Sequence, residues 1–174
     1  MDNITNYNKY YHSGGLHAEE AECIHQILQK YQIKTITEVG CGNSSTSLFL
    51  DYIRFQSLTE AGYSLTSYEN NNSWAERVSQ VYKHNVQKYA VGDLYIKERC
   101  DLIFIDGPVG SSNRESSFIA AKGKSSYVIA HDAFGSSIRE FANKHFLSDK
   151  TYTELKIKQP NKTSGLILMK SNEG

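Results

Sequence analysis

The residues able to do chemistry fall into four short groups, each following an apolar, β-branched run. The first is Glu38-Val39-Gly40-Cys41-Gly42-Asn43-Ser44-Ser45, between a strand pattern and a helix pattern. Glycines there permit a tight turn and let a ligand approach the backbone, and the helix start offers free N–H groups. The second is Glu69, closing Leu65-Thr66-Ser67-Tyr68. A carboxylate at such a strand tip can accept hydrogen bonds from the two vicinal hydroxyls of a ribose. The third is Asp106-Gly107-Pro108-Val109-Gly110 with Arg114 beyond it, and the fourth is His131-Asp132. Together they offer a binding surface for a nucleotide, a neutral-pH base (His131 or Asp106), an orienting acid (Asp132) and a cation for an anionic group (Arg114). Alone, each has a plain structural reading: a turn, a loop cap, a solvated acid, a hydrogen-bonded core histidine.

These groups need a frame. Apolar positions Ala21, Ile24, Ile27, Leu28 and Tyr31 predict a helix from about His17 to Tyr31. Thr35–Val39 predicts a strand, Ser44 to Phe55 a helix, and Tyr63 to Glu69 a strand. Ser73 and Glu76 have capping-box spacing for a helix, with Val78 and Val81 following as apolar positions. A short strand is expected at Tyr89-Ala90-Val91, ending at Gly92-Asp93. Asp101 to Asp106 is the clearest strand, apolar without interruption and so buried on both faces. Tyr127 to Ala130 is another, and Ser137 with Glu140 has the spacing to open a helix toward Phe146. Tyr152 to Ile157 and Gly165 to Met169 are separated by too few residues for a helical crossover and must pair antiparallel. The sum is an α/β fold, a Rossmann-like seven-stranded mixed sheet in the order 3-2-1-4-5-7-6, with one antiparallel strand and helices on both faces. The whole chain, 1–174, reads as one domain, with residues 1–16 a polar segment able to cap the site.

Composition narrows the function classes. Formal net charge is zero, with 19 basic and 19 acidic residues, which argues against an electrostatic grip on nucleic acid or an anionic membrane. No run reaches the ~20 apolar residues that span a bilayer. The N-terminal residues show neither the basic nor the apolar region of a secretory signal. Cys23, Cys41 and Cys100 have no metal-like spacing, so reduced thiols in a cytoplasm are the expectation.

Glu-Val-Gly-Cys-Gly resembles the acidic-x-Gly-x-Gly motif of class I S-adenosylmethionine-dependent methyltransferases. That resemblance implies a cofactor site at Gly40, Cys41, Gly42 and Ser45, with Glu38 supporting the cofactor's amino end, Glu69 on the ribose and Asp93 near the adenine. It covers about residues 30 to 170. Phe-Ile-Asp-Gly followed by Val-Ile-Ala-His-Asp is similar to small-molecule and sugar O-methyltransferases, some of which hold Mg²⁺ with acids at these strand ends. Asp106 and Asp132 would be the ligands here. Asp106 to Gly110, Arg114, His131-Asp132 and Arg139-Glu140 resemble the plant glucuronoxylan O-methyltransferases, over about residues 104 to 141. There are two departures, of which the second bears on the metal. Val109 stands near where catechol-type enzymes carry a lysine base, and Asp132-Ala133 replaces their Asp-Asn pair, so one metal ligand is missing.

The resemblance implies O-methylation of a small-molecule or saccharide hydroxyl, with His131, Asp106 and Asp132 as the catalytic group and Arg114 and His131 against the acceptor. With no insertion to form an acceptor lid, specificity falls to the N-terminal segment or to a partner subunit, a second copy included. Two other readings use the same motifs: a catalytically silent S-adenosyl-ligand-binding module acting through a protein partner, and a nicotinamide-dependent oxidoreductase. Ser45, standing where the dinucleotide fingerprint has its third glycine, and the terminal hairpin speak against the last.

Overall fold

A computed structural model describes residues 6–11, 15–108, 111–157 and 165–173. After a 3₁₀ turn at Tyr7–Tyr10, the elements are α1 (Ala18–Lys30), β1 (Thr35–Val39), α2 (Ser45–Ser57), β2 (Ser64–Glu69), α3 (Asn72–Tyr82) and β3 (Val86–Lys88). Then come β4 (Cys100–Ile105), α4 (Ser111–Ala121), β5 (Ser125–His131), α5 (Ser136–Ala142), β6 (Tyr152–Leu155) and β7 (Leu166–Ser171). A π-helical turn at Asn143–Leu147 prolongs α5.

The sheet has seven strands in the order β3-β2-β1-β4-β5-β7-β6. β1 to β5 run parallel, and β7 is antiparallel to both β5 and β6. Strand pleating divides the core. Leu102 and Phe104 join α1 and α2 through Ile24, Leu28, Leu48 and Phe49 on one face. Ile103 and Ile105 join α4 and α5 through Phe118, Ile138 and Ala142 on the other. β4 is therefore covered on both sides, as its unbroken apolar run requires.

Four local readings are corrected. β3 is Val86–Lys88, whereas Tyr89-Ala90-Val91 leads into a turn where the Asp93 N–H donates to Ala90 O at 2.9 Å. Asn71, not Ser73, caps α3, its side chain accepting from the Trp74 N–H at 3.0 Å. Val81 on that helix is 58% exposed. Gly135, with no side chain to offer, precedes α5, so no Ser137 capping box forms. The helix α4 has no counterpart in the sequence reading, because its opening run of Ser and Asn looks like loop. Val109, Gly110 and the hairpin connection at 158–164 lie outside the described residues.

The carboxyl ends of β1, β2, β4 and β5 share one edge of the sheet, where open parallel sheets build their sites. The loops there are held by backbone. Asp106 N–H and Gly107 N–H both donate to Val39 O, at 2.8 and 2.9 Å, and Gly40 N–H donates to Tyr68 O at 2.9 Å.

Candidate functional site

Gly40 and Gly107 meet back to back. Gly40 has φ +85°, and a Cβ on it would lie 2.4 Å from Gly107 N. Its glycine is thus demanded by the chain's own β4 loop. Gly42 is different: a Cβ there would meet only Ser45 Oγ, at 3.8 Å. Of the two loop glycines, Gly42 is the one with open space above it.

A cavity of about 610 Å³ opens over this loop. Gly40 to Ser45, Glu69 to Asn71 and Trp74 form one wall; Asp106, Gly107, Pro108, Arg114, His131 and Asp132 form the other. Tyr11, Gly15, Leu16 and His17 also line the cavity. The volume lies in the range of small-molecule sites, which run from ~300 to ~1,000 Å³.

Glu38 does not line the cavity. It is fully buried beneath the glycine loop. Its Oε2 accepts from Thr46 Oγ1 at 2.8 Å and Ser67 Oγ at 2.7 Å, and Thr46 Oγ1 in turn accepts the Gly42 N–H at 3.0 Å. Glu38 therefore sets the loop through Thr46. Burial is the main cause that pushes its carboxyl up to about 7, against the three hydroxyls that favour the anion. Glu69 does line the cavity. Its Oε1 accepts the Asn71 N–H at 2.8 Å. Burial raises its pKa, while the backbone N–H groups of Asn71, Asn70 and Cys41 pull the other way. Trp74 presents its ring to the same wall, with Nε1–H donating to Cys41 O at 2.8 Å. The Cys41 thiol is pushed well up by burial and two nearby carboxylates, which leaves it an inert packing group. Asp93 is exposed and is not among the lining residues.

The other wall is an ion cluster. His131, the last residue of β5, places Nδ1 2.9 Å from Asp106 Oδ1 and 3.7 Å from Asp132 Oδ1. Arg114, from α4, reaches Asp106 Oδ1 at 3.4 Å and Asp132 Oδ2 at 3.0 Å. Asp132 stands at φ +58°, a backbone state that Asp tolerates better than most residues. The sequence thus brings Asp106, His131, Asp132 and Arg114 together. Arg139 stands apart, paired with Glu154 at 2.7 Å on the surface.

Sequence reasoning missed Glu20. Its Oε2 lies 3.3 Å from His131 Nε2 and accepts the His17 N–H at 2.8 Å. Glu20 is completely buried. Burial by itself would lower the His131 pKa, but Asp106, Glu20 and Asp132 outweigh it and push it up to about 10. The ring is an imidazolium at neutral pH, flanked at both nitrogens by carboxylates.

No family model matches the chain, and no curated protein does. Solved structures match throughout. A protein from Pseudomonas syringae assigned as a methyltransferase aligns at TM-score 0.61 and 14% identity, covering 87% of this chain and 96% of that one. A methyltransferase from Pyrococcus furiosus aligns at TM-score 0.57 and 16% identity, covering 92% and 86%. The fold is that of the class I methyltransferases. The 16S rRNA N2 G1207 methyltransferase of T. thermophilus, solved with AdoMet and guanosine, aligns at TM-score 0.61 and 10% identity over 93% of this chain and 45% of that one. Identities this low establish architecture, not substrate. No helix among the described residues is long and apolar enough to cross a membrane.

S-adenosylmethionine fits the residues present. Gly42 leaves room for a ligand against the backbone, and Glu69 offers a carboxylate on the same wall. Ser44, which lines the cavity at the start of α2, is 3% exposed, and its Oγ has no hydrogen-bond partner among the described residues. A polar ligand group there would supply one.

Proposed function

We propose that this chain is an S-adenosylmethionine-dependent methyltransferase acting on a hydroxyl of a small molecule or sugar. The observation that carries the reading is the single cavity shared by the Gly42 loop, Glu69 and the Asp106–His131–Asp132 group. Bound there, the cofactor supplies a methyl group already activated by its sulfonium.

The chain's own residues then bind, align and take a proton. Gly42 and the start of α2 would hold the cofactor's amino-acid end, and Glu69 would accept from its ribose hydroxyls. Asp106 takes the acceptor's proton. His131 is the weaker candidate for that step, because its ring is already protonated between two carboxylates. Its Nδ1–H and the Arg114 guanidinium hold the Asp106 carboxylate in place instead. Tyr11 and His17, with ring centroids 5.5 Å apart, form the acceptor's wall.

The ion cluster also favours one other reading, a silent S-adenosyl-ligand-binding module, since Asp106 and Asp132 are already paired with Arg114 and His131. Calorimetry with S-adenosylhomocysteine and NAD, followed by release of S-adenosylhomocysteine over a panel of hydroxylated acceptors, tests both. Binding of the homocysteine ligand but not NAD, with turnover on one acceptor class, is expected. Binding without turnover on any acceptor selects the silent module, and binding of NAD alone ends both readings.

A further inference from the structure

One donor atom each from Asp106, His131 and Asp132 lies within 4.8 Å of the others, the spacing of a divalent-ion site. The surroundings do not fit a metal ion. Arg114 NH1 is 3.0 Å from Asp132 Oδ2, and Arg114 NH2 is 3.4 Å from Asp106 Oδ1. The rest of the guanidinium is also engaged: Nε–H donates to Pro108 O at 3.3 Å, and NH1 to His131 O at 3.5 Å. The residue is 9% exposed, so this fork is not a surface arginine that happens to fold over. An ion held by both carboxylates would sit against this fixed positive charge and be repelled by it.

We propose that Arg114 is the resident cation of the site: it occupies the position between Asp106 and Asp132 that a divalent ion would take. Guanidinium suits this position. It is permanently charged, and its planar fork of five N–H donors serves carboxylates and carbonyls on different loops at once. Here it ties the loop after β4, through Pro108 and Asp106, to the end of β5, through His131 and Asp132. Two consequences follow. The site has no need of a metal, and Arg114, already matched to two carboxylates, is not available to hold an anionic acceptor. The inference concerns the cation alone and stands independently of methyl transfer.

The test uses Mn²⁺ as the only probe, on the full chain stripped with a chelator, reading free Mn²⁺ by electron paramagnetic resonance. Wild type should show no saturable uptake up to millimolar Mn²⁺. Arg114→Met, or Arg114→Gln if that variant does not fold, should gain a saturable site at least about tenfold tighter, because Asp132 loses the cation that lies 3.0 Å from it and Asp106 keeps only His131. Adding Asp132→Asn should remove the gained site. Far-UV circular dichroism melting checks that each variant is folded. Two results overturn the proposal: wild-type uptake that the single Asp132→Asn abolishes, or a folded Arg114 variant that takes up no Mn²⁺. If neither Arg114 variant folds, the comparison of wild type with Asp132→Asn decides it alone.

Discussion

Glu20 Oε2 lies 3.3 Å from His131 Nε2, which joins the first turn of α1 to the end of β5 across 111 residues of sequence. Glu20 sits where helix N–H groups favour a carboxylate, and the same oxygen accepts the His17 N–H that would otherwise go unpaired. One carboxylate thus anchors both the segment lining the cavity and the ring at its wall. Removing it leaves a buried imidazolium short of a partner and the helix start uncapped. Glu20→Ala should lower stability by about 3–5 kcal/mol, the usual cost of breaking a buried pair from one side. Urea denaturation measures this; a loss within experimental error of zero would show the contact to be incidental.

His131 also sets a pH dependence, chiefly through Asp106 and then through Glu20. The folded His131 holds its proton up to about 10, against an ordinary value of 6.5. The folded state therefore binds this proton more tightly than the unfolded state. The stability so gained is complete below about pH 6.5 and is lost as the pH rises to about 10. His131→Asn should be less stable than wild type at neutral pH, and the difference should shrink through that window. Denaturation curves across the window check it, and a difference that widens with pH would reverse the assignment.

The two loop glycines should separate structure from binding. Gly40→Ala places a Cβ 2.4 Å from Gly107 N at φ +85°, which combines left-handed strain with overpacking. A cost of about 3 kcal/mol or more is expected. Gly42→Ala meets nothing closer than 3.8 Å, so its melting temperature should hold while affinity for S-adenosylhomocysteine falls. A thermal melt and a calorimetric titration on each variant read the two effects apart.

How much of this was legible follows from what each residue must do. The strand order was, because uninterrupted apolar runs mark central strands and a connection too short for a helix forces the last pairing to be antiparallel. β3 was not. It is an edge strand with only Val86 buried, so it carries neither alternation nor an apolar run, and the more apolar Tyr89-Ala90-Val91 beside it misled. Asp106, His131 and Asp132 were legible because strand ends announce them. Glu20 was not, because a Glu in a helix's first turn looks like a solvated cap. A signal did exist: Glu20 shares the stripe of Ile24, Ile27 and Leu28, so the helical period already turned it inward. Arg114 was legible as a residue but not as a partner, since no pattern in α4 says which loops it will bridge.

Glu38 offers a second pH test with a lower window. Its carboxyl is pushed from 4.5 up to about 7, chiefly by burial. Here too the folded state binds the proton more tightly, so stability is full below about pH 4.5 and falls as the pH rises through about 7. Each pK unit is worth about 1.4 kcal/mol, which makes the loss on the order of 3 kcal/mol. Glu38→Gln should flatten that slope while keeping an oxygen for Thr46 and Ser67. A variant whose stability falls with pH as steeply as wild type would place the titrating group elsewhere.

Glu69 is where the cofactor reading is most exposed to failure. Its Oε1 already accepts the Asn71 N–H, so the carboxylate is held in one orientation before any ligand arrives. It is 7% exposed, and the little surface it keeps is on the cavity wall. A ligand with two adjacent hydroxyls can donate to such a group; one without them leaves a poorly solvated carboxylate short of partners. Glu69→Ala should therefore weaken S-adenosylhomocysteine binding by about 1–3 kcal/mol, and the loss should vanish for a 2′,3′-dideoxy analogue that never made those bonds. Calorimetry on both ligands with both proteins closes the cycle. Equal losses for the two ligands would mean that Glu69 only shapes the loop at Asn71, and the ribose would have to lie against another wall.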